Sequence, residues 1–410
     1  VKFANFFHLN TLLVLFCVKT GLNFLKSMLQ NWLQPVQPEK FLTTGTGTML
    51  PHGTMMHQMR LYSAAAPHDF PDLKDVKCVL IGMDAASADT VRGQLYPMMF
   101  PFKHFNCADL GNVRNSDPSF WIPLITELLQ SGICPICIGS DENTLWGLFQ
   151  AYQQHKLLIN LTILDETMRF IPKTGSESTM NAPIISPIWQ RILEERPSHL
   201  FHCNVIGYQS HCTPPSALRF FDQKVYEHVR LGKLKANLEE AEPFIRDADL
   251  MCCHLAALKK IEAPAQLSPN PSGLWLEEAC QLARYAGMSD KLTAFGIYGF
   301  HIQDPLPTDV TAQSVAQLIW YFMEGFYNRK QDYPIGMRNL TQYIVDVKEF
   351  DFQITFWKSH KSGRWWVQIP VKTRKKQERH RLIPCSYNDY LSACRDELPE
   401  RLFNAYRRFA

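Results

Sequence analysis

Two patterns in this chain predict an α/β fold with a mostly parallel sheet and a small C-terminal β and helical appendage. Between Val76 and Tyr327, apolar runs of strand length alternate with helical segments. Beyond Tyr327 the spacing changes to period two, the mark of strands buried on one face only.

The first strand is Val76-Lys77-Cys78-Val79-Leu80-Ile81-Gly82, a nearly continuous apolar run that ends in glycine, as expected of a strand covered on both faces. Helix-like Phe120 to Leu129 precedes strand-like Ile133 to Ile138, and helix-like Leu145 to His155 precedes Leu157 to Leu164. The helix Ile188 to Glu195, the strand His199 to Gly207, and strands at Leu250 to His254 and Leu292 to Ile297 around a helix at Leu274 to Tyr285 complete the alternation. A last helix, from about Thr311, sets Val315, Leu318, Ile319, Phe322 and Phe326 on one face. Helices between strands imply a parallel sheet, whose functional groups gather at the carboxyl ends of its strands.

The chain divides into an N-terminal extension over 1–75, an α/β domain over 76–330 and an appendage over 331–410. In the appendage, Gln342 to Val347, Phe352 to Trp357 and Arg364 to Ile369 read as strands, with a hairpin loop over Lys358 to Gly363. Two short amphipathic helices follow, near Tyr387 to Cys394 and Pro399 to Phe409. Residues 28–75 read as an irregular lead-in, rich in Pro, Gly, Thr and His over 35–75. Residues 1–27 contain Leu12 to Val18, an apolar run shorter than a membrane span and without a small-residue cleavage site. The expectation is a start placed too early, with Met28 opening the protein; a partner helix and a signal or anchor are the alternatives.

With 410 residues, 46% of them hydrophobic, the chain can bury a large core. A net charge of +3 is too near balance to imply nucleic acid or a membrane surface by itself. Twelve cysteines over this length, several inside apolar runs, fit buried thiols in a reducing cytoplasm better than a disulfide framework.

Two strand ends carry the most informative residues: Ile138-Gly139-Ser140-Asp141-Glu142-Asn143 and Leu164-Asp165-Glu166-Thr167-Met168-Arg169. Further on, Cys252-Cys253-His254-Leu255-Ala256-Ala257-Leu258-Lys259-Lys260-Ile261-Glu262-Ala263-Pro264 and Phe295-Gly296-Ile297-Tyr298-Gly299-Phe300-His301 close two more strands. In order and spacing these segments resemble the arginase superfamily, the manganese-dependent ureohydrolases that include agmatinases and formimidoylglutamases. Members of that family carry G-G-D-H-S, D-A-H-x-D and S-F-D-L-D-A-I-R-S-S-D-A-P at successive strand ends, and a Glu near the last strand. The resemblance covers roughly residues 76–327 and implies a three-layer α/β/α core.

The resemblance also implies a role for each position, and the residues present do not suit it. Glu142 stands where the family has a His ligand; Asp165 is kept; Thr167 and Arg169 replace a His and an Asp; His254 and Ala256 replace two Asp; Gly299 falls at the substrate-facing Glu. Two divalent ions held close together need anionic oxygens and neutral imidazoles to offset their repulsion. The family's two His and four Asp supply a charge of about −4. Glu142, Asp165, Thr167, Arg169, His254 and Ala256 supply −1, two carboxylates less one guanidinium. Arg169 is always cationic and has no lone pair to offer. Manganese is the cofactor the family implies, and these residues do not support it; no other cofactor is indicated.

Three uses remain open for the remodelled corner. Arg169 could pair with Glu142 or Asp165 and plug the former metal cavity; Arg169, Asp165, Glu142 and His254 could hold an anionic ligand; or Asp165, Glu142 and His254 could retain a single ion. Elsewhere, Cys134-Pro135-Ile136-Cys137, the pairs His202-Cys203 and His211-Cys212, and Cys252 beside His254 have metal or thiol spacings, but each falls at least partly within a strand. Lys372 to Arg381 carries six basic residues close to Trp357, Trp365 and Trp366, so these tryptophans with Arg374, Lys375 and Lys376 are a candidate partner surface. The alternative is a solvated loop beside tryptophans packed on the core.

The expected function is that of a pseudoenzyme without the binuclear manganese site, acting by protein binding or scaffolding. A linear-amidine hydrolase of the formimidoylglutamase type with an atypical site, and a sensor for a small anionic metabolite, are the alternatives. An unidentified protein partner is expected, self-association stays open, and neither nucleic acid nor, unless residues 1–27 act as an anchor, a membrane is expected.

Overall fold

The computed structural model describes residues 29–41, 49–155, 158–173, 185–195, 198–302, 308–333, 337–347, 352–371 and 379–409. Strands β1 (Leu33–Gln34), β2 (Arg60–Leu61), β3 (Cys78–Gly82), β4 (Cys107–Val113), β5 (Cys134–Ile138), β6 (Ile159–Leu164), β7 (Leu200–Tyr208), β8 (Glu227–Arg230), β9 (Leu250–His254) and β10 (Ala294–Tyr298) form one sheet. Their order is β1-β4-β3-β5-β10-β9-β6-β7-β8, with β2 also paired to β4. Every pairing is parallel except β1 with β4.

Helices cover both faces of this sheet. The longer ones are α1 (Ala85–Leu95), α2 (Pro118–Gln130), α3 (Asn143–His155), α4 (Pro187–Glu194), α5 (Pro215–Lys224), α6 (Leu276–Met288) and α7 (Thr308–Tyr327). Because successive strand residues point to opposite faces, the sheet splits the apolar core in two. Trp121, Leu148, Phe149 and Trp189 lie in one half; Leu95, Phe295, Leu318 and Phe322 lie in the other. A fully buried side chain of this size contributes roughly 1.5–3 kcal/mol, so the two layers carry most of the favourable term.

Capping fixes where helices begin. Asp84 accepts from the Ser87 backbone N–H at 2.9 Å, and Asp117 accepts from that of Ser119 at 2.8 Å with Pro118 at the first helical position. Ser186 caps α4 by accepting from the Ile188 N–H at 3.1 Å, again ahead of a proline.

Three features depart from the expectation. The lead-in is not wholly irregular: Leu33 pairs with Val113, Arg60 with Ala108, and Leu33 and Met55 are fully buried. Strand β4 was not foreseen because Asp109, Gly111 and Asn112 interrupt its apolar pattern. The structure tolerates Asp109 there because the buried Arg92 donates to both carboxylate oxygens at 2.8 Å and the Tyr96 hydroxyl donates at 2.9 Å. Beyond the hairpin, Arg379–Cys385 forms a further strand where only a basic stretch was read.

That strand completes an antiparallel four-stranded sheet, β11 (Leu340–Val347), β12 (Phe352–Ser359), β13 (Trp365–Val371) and β14 (Arg379–Cys385), ordered as in sequence. Helices α8 (Tyr387–Cys394) and α9 (Glu400–Phe409) pack against it. The core reaches into this module through the buried Arg246, whose Nη2 donates to the carbonyls of Trp365 at 3.0 Å and Cys385 at 3.1 Å. Its guanidinium lies 4.5 Å from the Trp366 ring centroid. No helix among the described residues is long and apolar enough to cross a membrane.

Candidate functional site

The four segments singled out in the sequence meet at one place. Strands β5, β10, β9 and β6 are adjacent, and their carboxyl ends lie in register, with Ile138 opposite Ile297, Tyr298 opposite His254, and Cys253 opposite Leu164. Each chain therefore leaves the sheet at the same edge, and the residues that follow surround a pocket of about 270 Å³.

The β5 end turns tightly into α3. A Cβ at Gly139 would stand 1.8 Å from the Thr144 Oγ1, so only glycine allows this close return. Asp141 accepts from the Asn143 N–H at 2.9 Å and opens the helix, while Glu142 lines the pocket. The Glu142 carboxylate accepts from the Ser186 hydroxyl at the cap of α4. Burial raises its pKa against the opposing effects of that bond and of Arg169.

At the β6 end, Asp165 is fully buried, and its Oδ1 accepts from the Glu166 N–H at 2.7 Å. Arg169 closes over it: Nε donates to Oδ2 at 2.9 Å and Nη2 to Oδ1 at 3.2 Å. The same guanidinium lies 3.5 Å from a Glu142 oxygen and 4.0 Å from a Glu166 oxygen. Burial disfavours the charged Arg169, and Asp165 more than offsets it, so the group's pKa lies above its usual value. Thr167 is turned away to donate to the Cys212 carbonyl at 2.7 Å. Arg169 is thus paired with Asp165, while a pocket stays open beside the pair.

At the β9 end, His254 Nδ1 accepts from the Ala256 N–H at 2.9 Å and lies 4.0 Å from Asp165 Oδ1. Burial pushes its pKa down to about 4, with Asp165 opposing and Arg169 assisting, so the ring is neutral near pH 7. Ala256 offers no side-chain donor. At the β10 end, Gly299 adopts φ +95°, and a Cβ there would meet the His254 ring at 3.0 Å. The ring packs edge-on against Tyr298, with centroids 4.8 Å apart.

Several of the side chains at the positions where the family would hold manganese are engaged by other groups here. Both oxygens of Asp165 are engaged by Arg169, Thr167 faces elsewhere, and His254 Nδ1 is occupied. Among the described residues, no group of three or more His, Cys, Asp or Glu is placed to hold a metal ion. Arg169 also bears on the anion-sensor alternative, because two of its donor nitrogens are committed to Asp165.

The remaining candidates separate. Cys134 and Cys137 lie in opposite core layers, as do Cys252 and Cys253, so neither pair shares a face. His202 is buried beside Glu227 at 3.3 Å, and burial lowers its pKa. Trp357, Trp365 and Trp366 are buried, which corrects their placement on a partner surface. Trp357 donates to Gln368 at 2.9 Å and Trp365 stacks on Tyr390, so these side chains are used within the module. Arg374, Lys375 and Lys376 lie outside the described residues.

Sequence reasoning missed Ser186 and Gln266, which also line the pocket, and gave no role to His301 at the end of the fourth segment, which lines it too. Only Ser186 left a signal, as a serine ahead of Pro187 and an amphipathic helix.

No family model and no curated protein matches this sequence. Solved structures do: an arginase superfamily protein from Trypanosoma cruzi is 14% identical, with a TM-score of 0.52 and coverage of 62% of this chain and 95% of that one. The chain thus has the arginase-superfamily fold. More particularly, it is similar to Trypanosoma cruzi formiminoglutamase crystallised with manganese, at 14% identity, a TM-score of 0.52 and coverage of 62% and 95%. It is also similar to formimidoylglutamase from Bacillus subtilis, at 15%, 0.51, 62% and 88%.

Proposed function

We propose that this chain is a non-catalytic member of the arginase-fold proteins, one whose former reaction site has become a binding pocket and whose role is protein binding or scaffolding. The observation that carries this reading is the Arg169–Asp165 pair. A permanent cation sits on the one aspartate retained from the second metal-binding motif, at 2.9 and 3.2 Å. Displacing it to admit a divalent ion would strand a buried guanidinium, at a cost of several kcal/mol.

The test is metal content and turnover together. Protein purified with manganese present is expected to carry no stoichiometric metal and to leave guanidino and formimino compounds unhydrolysed. Hydrolysis that disappears in Asp165→Ala would overturn the reading. It would establish the second one, a C–N hydrolase with an atypical site, which the open pocket beside His254 and Glu142 favours.

A further inference from the structure

Among the described residues the two sheets end in β1, β8, β14 and β11, and the first three of these edges are guarded. Strand β1 is two residues long. Strand β8 carries Glu227, His228 and Arg230 and is bonded by α9, whose Arg408 donates to Glu227 at 3.3 Å. Strand β14 carries Arg381 and Pro384, and Arg246 of the core donates to its Cys385 carbonyl at 3.1 Å. Shortness, charge, proline and cover keep an unpaired edge from adding to another strand. Strand β11 is built otherwise. Its eight residues, Leu340 to Val347, include no Lys, Arg or Pro, and they pair with β12 in unbroken register, from Leu340 opposite Ser359 to Val347 opposite Phe352.

The direction of its backbone groups follows from the neighbouring bond. The His360 N–H donates to the Asn339 carbonyl at 3.0 Å, so by alternation Thr341, Tyr343 and Val345 turn their N–H and C=O groups toward β12. Gln342, Ile344 and Asp346 turn theirs away from it. The side chains of these three are exposed, Ile344 to 56%. The sequence of this edge is complementary to itself. Residues directly opposite in an antiparallel pair share a face, so a two-fold axis between two copies of β11 falls on a residue. With the axis at Ile344, that side chain meets its own copy, the Gln342 amide can donate to the Asp346 carboxylate of the second copy, and the two Asp346 side chains stay about 13 Å or more apart. Tyr343 then stands opposite Val345, which extends the apolar cluster of the module across the join. An axis at Tyr343 or Val345 would instead set Ile344 against Gln342 or Asp346.

We propose that β11 is a dimerisation edge: it pairs antiparallel with β11 of a second copy of this chain about a two-fold axis at Ile344, which joins the two C-terminal sheets into one. The pairs formed by Gln342, Ile344 and Asp346 exchange about six backbone N–H···O bonds. The contact uses the same edge on both copies and so closes at two chains, with the guarded edges left outside. This inference lies away from the strand-end pocket and does not depend on what that pocket does.

The test is sedimentation equilibrium of the full chain over a concentration series reaching roughly 1 mM, where even weak specific association is populated. A monomer–dimer equilibrium is expected. Ile344→Lys, at an exposed position, sets two ammonium groups against each other and is expected to weaken the dimer about tenfold or more. Two further variants read the register. Gln342→Lys places a cation opposite Asp346 of the second copy and should tighten the dimer severalfold at low salt, whereas Gln342→Glu opposes like charges and should weaken it. An unchanged urea midpoint at low protein concentration shows that each variant folds, and the Gln342 comparison stands even if Ile344→Lys does not. A chain that stays monomeric at every concentration, a dimer that Ile344→Lys leaves intact, or equal association of Gln342→Lys and Gln342→Glu would each overturn the proposal.

Discussion

Arg169 reaches back four residues to grip Asp165 with two nitrogens, at 2.9 and 3.2 Å, in a corner where both side chains are almost wholly removed from solvent. The pair makes the corner self-sufficient. It also makes each partner expensive to remove alone: Asp165 would be left a buried charge without its cation, and Arg169 with only the more distant Glu142 and Glu166.

Arg169→Met is therefore expected to destabilise the chain by about 3–5 kcal/mol, and Asp165→Leu by less, because Glu142 and Glu166 stay beside the guanidinium. The double replacement should recover most of that loss. Urea denaturation of the single and double variants measures this coupling.

Gly299→Ala probes the neighbouring strand end. At φ +95°, with the His254 ring 3.0 Å from the new carbon, both backbone and ring must yield. A loss of about 1–3 kcal/mol is expected, with a shifted His254 ring signal in the NMR spectrum as the local readout.

Acid should weaken the fold through His254. Its folded pKa, about 4, lies below the ordinary value of 6.5, so between these pH values the unfolded chain binds a proton that the native chain does not. The stability is fully present above pH 6.5 and is lost progressively toward pH 4, by up to roughly 3 kcal/mol. His254→Gln is expected to flatten this part of the stability–pH curve, measured by denaturation at several pH values.

Arg246 joins the α/β core to the C-terminal sheet. Arg246→Ala removes its bonds to the Trp365 and Cys385 carbonyls and its stacking on Trp366. A cost of about 2–4 kcal/mol is expected, concentrated at that boundary. Hydrogen exchange should show protection lost first in β13 and β14.

The central strands were legible in the sequence because burial on both faces demands a near-continuous apolar run, as in Cys134–Ile138 and Ile159–Leu164. Strand β4 was not, because Asp109 is made tolerable only by Arg92 and Tyr96, residues brought to it by the fold. The site was half legible. Its four corners could be placed because they follow strands whose ends come into register, and Arg169 announced itself by charge. Gln266 sits in a loop whose approach to the pocket is a tertiary event with no local pattern. The tryptophans near the basic stretch misled because sequence proximity to charge says nothing of the face on which a ring packs.

Metal content tests the non-catalytic reading of this site most directly. Mass-spectrometric metal analysis of the full chain, dialysed after incubation with excess manganese, is predicted to find no stoichiometric ion, with Arg169 still on Asp165. Two manganese ions retained per chain, the complement of a binuclear hydrolase site, would contradict it.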